Sequence, residues 1–285
     1  MKKLLVVLMV LPLVLAACNS GLLPNAETVS GTVIDRGLNP SLPPSSNFYL
    51  GIFNLQEPNG STGISLSGLQ NAYFYTDKTD GSMTFWDPST GTPTSGSLHP
   101  RTELREINTD GSNAAWAVAT NPGLDSTNEL LVTEKVTQVP DHVCIGQIFQ
   151  AVTTTQPNSK PFIELFYYNT GKIVAAVEAT PAGGNEVQTT VATVPLGTQF
   201  TYYIGIQVPP SGPPTLFVDI NNTATYFQQN LSTAFAAESF YFKAGDYDQT
   251  ATSGTLPTSY NGTGTIVKLY SLQVKHINRH LGAGG

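Results

Sequence analysis

Read with the period of a β-strand, the stretch Tyr241-Phe242-Lys243-Ala244-Gly245-Asp246-Tyr247-Asp248-Gln249 sorts its side chains into two kinds. Phe242 and Ala244 fall on one face, which suits a core. Tyr241, Lys243, Gly245, Tyr247 and Gln249 fall on the other, which gathers a cation, two phenols and an amide with no aliphatic side chain. Such a face can floor a groove for an anionic, hydroxyl-rich ligand. Arg101-Thr102-Glu103-Leu104-Arg105-Glu106 has a similar pattern, with Arg101, Glu103 and Arg105 on one face and Leu104 toward the core. Two guanidiniums flanking a carboxylate can hold each other while offering forked donors to a ligand carboxylate. The same three residues also suit a plain surface ion-pair ladder. A third segment, Gly146-Gln147-Ile148-Phe149-Gln150, lies in a strand-like run from Val143 to Thr153 and puts Gln147 and Phe149 on one face.

The elements that must position these residues are strands almost throughout. Phe48 to Leu55, Ala72 to Thr76, Ala114 to Ala119, Glu129 to Thr137, Phe162 to Tyr168, Lys172 to Val177, Phe200 to Val208, Leu216 to Ile220 and Ile266 to Val274 are rich in β-branched and aromatic residues. Turn signals separate them at Asn169-Thr170-Gly171, Pro181-Ala182-Gly183-Gly184, Pro209-Pro210-Ser211-Gly212 and Asn221-Asn222. Ser232 to Glu238 reads as a short helix. Strands at this spacing predict an all-β domain, a two-sheet antiparallel sandwich or β-jelly roll.

The first eighteen residues read as an address. Lys2 and Lys3 precede an apolar stretch from Leu4 to Leu15, and Leu15-Ala16-Ala17-Cys18 forms a small-residue cleavage site. Ending on cysteine, it resembles the lipobox of bacterial lipoproteins, which would make Cys18 a lipidation site; an ordinary secretory peptide is the alternative. The apolar run is too short for a stable membrane span, leaving a lipid anchor as the only membrane contact expected. The expected location is the bacterial cell envelope, at the outer membrane or cell surface, or outside the cell. Residues 19–45 are rich in Pro, Ser, Asn and Gly and read as a flexible tether, with Val29 to Ile34 a possible extra strand. Residues 46–285 form the globular domain, expected to be monomeric. A lipidated Cys18 leaves Cys144 without a partner, so no intramolecular disulfide is expected, and Cys144 reads as a buried inert thiol.

The formal charge of −7 grows by two negative units once Lys2 and Lys3 are removed. An acidic chain makes a poor nucleic-acid binder. For a polyanion to bind, the cations must be local, and Arg101, Arg105 and Lys243 all fall inside the two charged blocks. No metal site and no cofactor are expected. His99, His142, His276 and His280 lack ligand spacing, and Lys275 to His280 reads as a solvated basic end.

Together and in this order, the three blocks resemble the signature of the alginate lyases of polysaccharide lyase family seven. That signature runs Arg-(Ser/Thr)-Glu-(Leu/Val)-Arg, then Gln-(Ile/Val)-His, then Tyr-Phe-Lys-Ala-Gly-X-Tyr-X-Gln. Arg101 to Arg105 and Tyr241 to Gln249 match fully; the middle block keeps Gln147-Ile148 but has Phe149 in place of His. The resemblance spans about Phe48 to Ile277. It implies a β-jelly roll whose concave sheet forms the substrate groove, and β-elimination on a uronic-acid polymer. Arg105 and Gln147 would neutralise the sugar carboxylate and Tyr247 would sit beside C5 and the glycosidic oxygen. Arg101, Glu103, Phe149, Tyr241, Lys243 and Gln249 would orient sugars or tune the site. Tyrosine titrates at about 10, so Arg105 and Lys243 are expected to lower Tyr247 toward a usable base.

Phe149 decides between readings. In a regular strand, odd spacing from Gln147 puts His142 on the opposite face, a bulge aside, while Pro100 leaves the direction of His99 open. Mannuronate and glucuronate carry the C5 hydrogen and C4 oxygen on one side of the ring, so a single residue can serve both proton transfers. Guluronate carries them on opposite sides. A chain without the His is therefore expected to act on mannuronate-rich alginate or a glucuronan, with Tyr247 as base and acid. Two alternatives stand: a weak or inactive lyase scaffold that binds acidic polysaccharide at the cell surface, and a structural envelope lipoprotein.

Overall fold

The computed structural model describes residues 37–118, 124–152, 159–209, 211–223 and 225–280. Cys18, the signal segment and residues 19–36 of the tether lie outside them. The first strands are β1 (Phe53–Gln56), β2 (Phe74–Thr76), β3 (Met83–Asp87), β4 (Thr90–Gly91), β5 (Thr102–Glu106) and β6 (Trp116–Ala117). Next come β7 (Leu124–Gln138), β8 (His142–Gln150), β9 (Pro161–Tyr168), β10 (Lys172–Glu178), β11 (Glu186–Thr193), β12 (Phe200–Val208) and β13 (Thr215–Ile220). The last are β14 (Phe227–Asn230), β15 (Ser239–Asp248), β16 (Thr252–Ser253) and β17 (Thr265–His280). Two single-turn helices, α1 (Pro44–Asn47) and α2 (Thr233–Ala236), complete the described elements, and the Ser232 hydroxyl caps the second by accepting from the Phe235 N–H at 3.3 Å. No helix among the described residues is long and apolar enough to cross a membrane.

Two antiparallel sheets pack face to face, the architecture of a β-jelly roll. The first runs β1-β5-β15-β8-β9-β10-β11, with β6 beside β15; the second runs β14-β13-β12-β7-β17-β3-β2. Apolar residues at alternate positions fill the space between, including Leu104 on β5, Phe240, Phe242 and Ala244 on β15, and Ile163, Leu165 and Tyr167 on β9. Their alternates face outward and make the floor of the site. Polar ties also cross the interior. Thr102 Oγ1 donates to the Trp86 carbonyl at 2.8 Å, and Thr265 donates to the buried Asp246 carboxyl.

A bulge on β8 does the most to place the site. Against β9, Cys144 pairs with Phe166 and Gly146 with Leu165, so Ile145 is an extra residue and both Ile145 and Gly146 turn inward. The cause lies on the opposite sheet, where Tyr202 Oη donates to the Ile145 carbonyl at 2.8 Å. A Cβ on Gly146 would lie 2.5 Å from that oxygen, so a residue without one is required. On β15 the partner irregularity falls at Gly245, whose φ of 135° suits glycine.

Several elements differ from the sequence reading. The expected strand Phe48 to Leu55 is narrower, because Pro43 and Pro44 start the turn of α1 and β1 begins at Phe53. β3 escapes periodicity because every one of its residues is buried. β11 escapes it because most of its residues are polar or exposed, an edge strand on the first sheet. The supposed basic end Lys275 to His280 belongs to β17, where His276 bridges to Glu106 Oε1 and Asn128 Oδ1 at 2.7 Å each. The described end of the tether is packed: Leu38 lies against the core, and Asn39 N–H donates to Asn47 Oδ1 at 3.0 Å.

Candidate active site

The outward face of the first sheet carries the groove floor. Registers align Arg105 on β5 with Lys243 on β15, Gln147 on β8 and Glu164 on β9, one row across four strands. Adjacent strands lie about 4.8 Å apart, so these side chains stand side by side. One row away, Tyr241 opposes Phe149, and their rings sit 5.4 Å apart. Toward the other end, Tyr247 opposes Cys144, which in turn opposes Phe166.

Glu103 is the hub of the charged part. It is fully buried and accepts from Arg101 Nη1 at 2.8 Å, from Gln147 Nε2 at 2.5 Å and from the Lys243 ammonium. Burial opposes its ionisation, yet Lys243 and Arg101 hold its carboxyl below the ordinary range. Lys243 gives ground in return. Burial and the neighbouring Arg101 lower it to about 8, with Glu103 pulling the other way. Arg101 is also buried, its second nitrogen donating to Ser97 Oγ at 2.6 Å.

One expectation about these residues is corrected. Arg105 does not share Glu103 with Arg101; it donates to Asn113 Oδ1 and lies over the Tyr241 ring, 4.1 Å from its centroid. The antiparallel pairing of β5 with β15 sets this, putting Arg105 opposite Lys243 and Arg101 nearer Tyr247. Gln147 does not turn toward Arg105 but toward Glu103, and its Oε1 has no partner. Nothing in the sequence marks Asn113, which comes from the loop after β5.

Tyr247 is 8% exposed, with the Arg101 guanidinium 3.6 Å above its ring centre. The expected lowering of its pKa is not what the surroundings produce. Burial dominates and pushes the phenol up to about 12; Arg101 acts the other way, while Glu164 and Glu103 add to the rise. Tyr247 is therefore a well-kept proton donor. The Gln249 amide donates to the Tyr247 carbonyl at 3.0 Å, holding the strand end. Phe149 is half-buried and has the Lys243 ammonium 5.5 Å from its ring centre.

Three further residues enter the site. The bulge at Ile145 reverses the parity of β8, so His142 lies on the same face as Gln147, stacked on Tyr168 at 4.8 Å and edge-on to Phe166 at 5.4 Å. His99 reaches the groove end, 6.2 Å from the Tyr247 ring, with Nδ1 bonded to the Ala251 carbonyl at 2.7 Å. Glu164 joins the floor beside Gln147, and the alternation Ile163, Leu165, Tyr167 inward against Glu164, Phe166, Tyr168 outward could have located it. Cys144 is buried, and burial with the Glu164 and Glu103 charges pushes its thiol well up, an inert residue as expected.

Comparison with known proteins agrees with this geometry. The family model for alginate lyase (alginate lyase 2) matches residues 48–276. No curated protein matches the chain in sequence. Among solved structures, alginate lyase PA1167 from Pseudomonas aeruginosa is similar at 30% identity and a TM-score of 0.66, over 80% of this chain and 99% of that one. A substituted form of the family 7 alginate lyase A1-II′, solved in complex with substrate (GGMG), is similar at 28% identity and a TM-score of 0.66, over 83% and 97% of the two chains. AlyA1 from Zobellia galactanivorans, at 19% identity and a TM-score of 0.57 over 82% and 99%, shares the fold. With the family model covering most of the chain and the groove residues gathered on one sheet, the chain belongs to the alginate lyase family.

Proposed function

We propose that the protein is a polysaccharide lyase that cleaves mannuronate-rich alginate or a glucuronan by β-elimination. The difficulty of the reaction is the weak acidity of C5, whose own carboxylate is already negative. Three tasks follow: neutralise that carboxylate, remove the C5 proton, and protonate the departing C4 oxygen. Arg105, half-exposed and flanked by Lys243, is the groove cation open to a ligand carboxylate. Gln147, tied to Glu103, lies in the row beside Lys243, and the Tyr241–Phe149 pair supplies an apolar surface for a ring face. Tyr247 supplies the proton for the leaving oxygen; acting alone it would start as the phenolate, take the C5 proton and then deliver that proton to the oxygen.

One observation carries this reading: a buried phenol, kept protonated beneath Arg101, on the same sheet face as the row Arg105, Lys243 and Gln147. The substrate preference rests on Phe149, because an apolar ring occupies the place of a second proton-transfer group and both tasks must be done from the floor. Tyr247→Phe removes one hydroxyl and no bulk. It should lower turnover about 10²- to 10⁴-fold, the usual contribution of general acid–base catalysis, while polymer binding persists. Binding without product in the unaltered protein would make the groove a capture site instead.

A further inference from the structure

Tyr247 suits the second proton transfer better than the first. With its phenol at about 12, about one molecule in 10⁵ holds the phenolate at neutral pH. The groove floor has another candidate for the first.

Glu164 stands on β9 directly opposite Gln147 on one side and Ala176 on the other. The residue is half-buried on the groove face. No hydrogen bond or ion pair from a described residue occupies its carboxyl. Two positions along the strand, Phe166 packs with Cys144 and Tyr247 in one outward cluster. Glu164 is close enough for its charge to bear on both Tyr247 and Cys144.

We propose that Glu164 is the base of the elimination: its carboxylate takes the C5 proton of the bound uronate while the Tyr247 hydroxyl protonates the departing oxygen. The C5–H electron pair becomes the C4–C5 double bond, and the C4–O bond breaks with its pair on the leaving oxygen. That oxygen takes the phenol proton; the proton on Glu164 then passes through water to the tyrosinate, restoring both groups. No redox partner is needed. Both residues rise from one floor, so the elimination is syn, the geometry of mannuronate and glucuronate. The proposal rests on the lyase reading and assigns one of its steps.

The surroundings tune the residue for the task. Burial, then Glu103 and Glu186, raise the Glu164 carboxyl to about 7, with Arg101 and Lys243 pulling it down. Cys144 and His142 on β8, Tyr247 on β15, Lys172 and Glu178 on β10 and Tyr168 on its own strand are the further titratable groups near it, with Arg105 and Tyr241 on the same face farther along the row. A carboxylic acid near neutrality beside a phenol near 12 is a pair pushed apart, the pattern of a base and its acid partner.

The test is a pH profile of purified full-length protein on polymannuronate for the native residue, Glu164→Gln and Glu164→Ala. The native kcat/KM should rise with pH through about 7. Glu164→Gln should lose about 10²- to 10⁴-fold in kcat, with a much smaller change in KM and no rise through that range. Added formate should restore part of the activity of Glu164→Ala, an effect that a structural role would not produce. Glu164→Gln with near-native kcat and an unchanged profile would overturn the assignment while leaving the lyase reading intact. No product from the unaltered protein on any uronate polymer would overturn both, and circular dichroism distinguishes misfolding of a variant from either.

Discussion

Arg101, Lys243 and Gln147 all donate to Glu103, and the consequence is an uneven sharing of charge. The carboxylate stays ionised with two cations against it, whereas Lys243 is buried with Arg101 beside it. Its ammonium accordingly discharges at about 8, far below an ordinary lysine. The sign follows directly: the groove is most cationic below that pH and loses a charge above it. KM for an anionic polymer should therefore rise as pH passes about 8, with kcat less affected. Lys243→Arg, whose guanidinium keeps its proton beyond pH ~12, should flatten the KM profile; a native KM unchanged through that range would contradict the assignment. The types of these residues were readable from the blocks, because short motifs list neighbours in sequence. Their pairings were not. Arg105 finds Asn113 across a loop turn and Arg101 finds Tyr247 across two strands, and neither relation leaves a mark in local spacing.

Period-two alternation carried β15 because one side of that strand meets the core and the other the groove. Phe240, Phe242 and Ala244 pack inward, while Tyr241, Lys243 and Tyr247 face outward. β8 defeats the same rule. Its extra residue at Ile145 moves His142 to the groove face, and the cause is Tyr202, 57 residues later and on the other sheet. Only the glycine at 146 hinted at it. Gly146→Ala tests that account, since the added methyl meets the Tyr202 hydroxyl and ring inside a closed core. The substitution should cost about 1–3 kcal/mol of stability, the usual penalty of overpacking, measured as a lower denaturant midpoint. A midpoint unchanged from the native protein would mean that Tyr202 does not shape the bulge. β3 was invisible for another reason, being buried on both faces and so without alternation.

At the scale of the whole molecule, a jelly roll supplies a rigid floor from seven registered strands, and chemistry is written on one face of it. Arg101, Arg105 and Lys243 make a local cationic cluster on that face of an otherwise acidic chain, and that cluster is where a polyanion is proposed to bind. The floor also dictates stereochemistry. Phe149 stands on that face where the family signature has His, and Tyr247 and Glu164 lie on the same face, so in the proposed mechanism both act on the sugar from one side. Proton removal and proton delivery from one side restrict efficient elimination to sugars whose C5 hydrogen and C4 oxygen share a face. The most direct measurement is therefore to incubate the purified protein separately with polymannuronate, polyguluronate and glucuronan and follow the ultraviolet absorbance of the unsaturated product. Product should form from polymannuronate or glucuronan at least about tenfold faster than from polyguluronate, a difference of ~1.4 kcal/mol in barrier. Cleavage of polyguluronate as fast as or faster than the other two would contradict the one-sided mechanism.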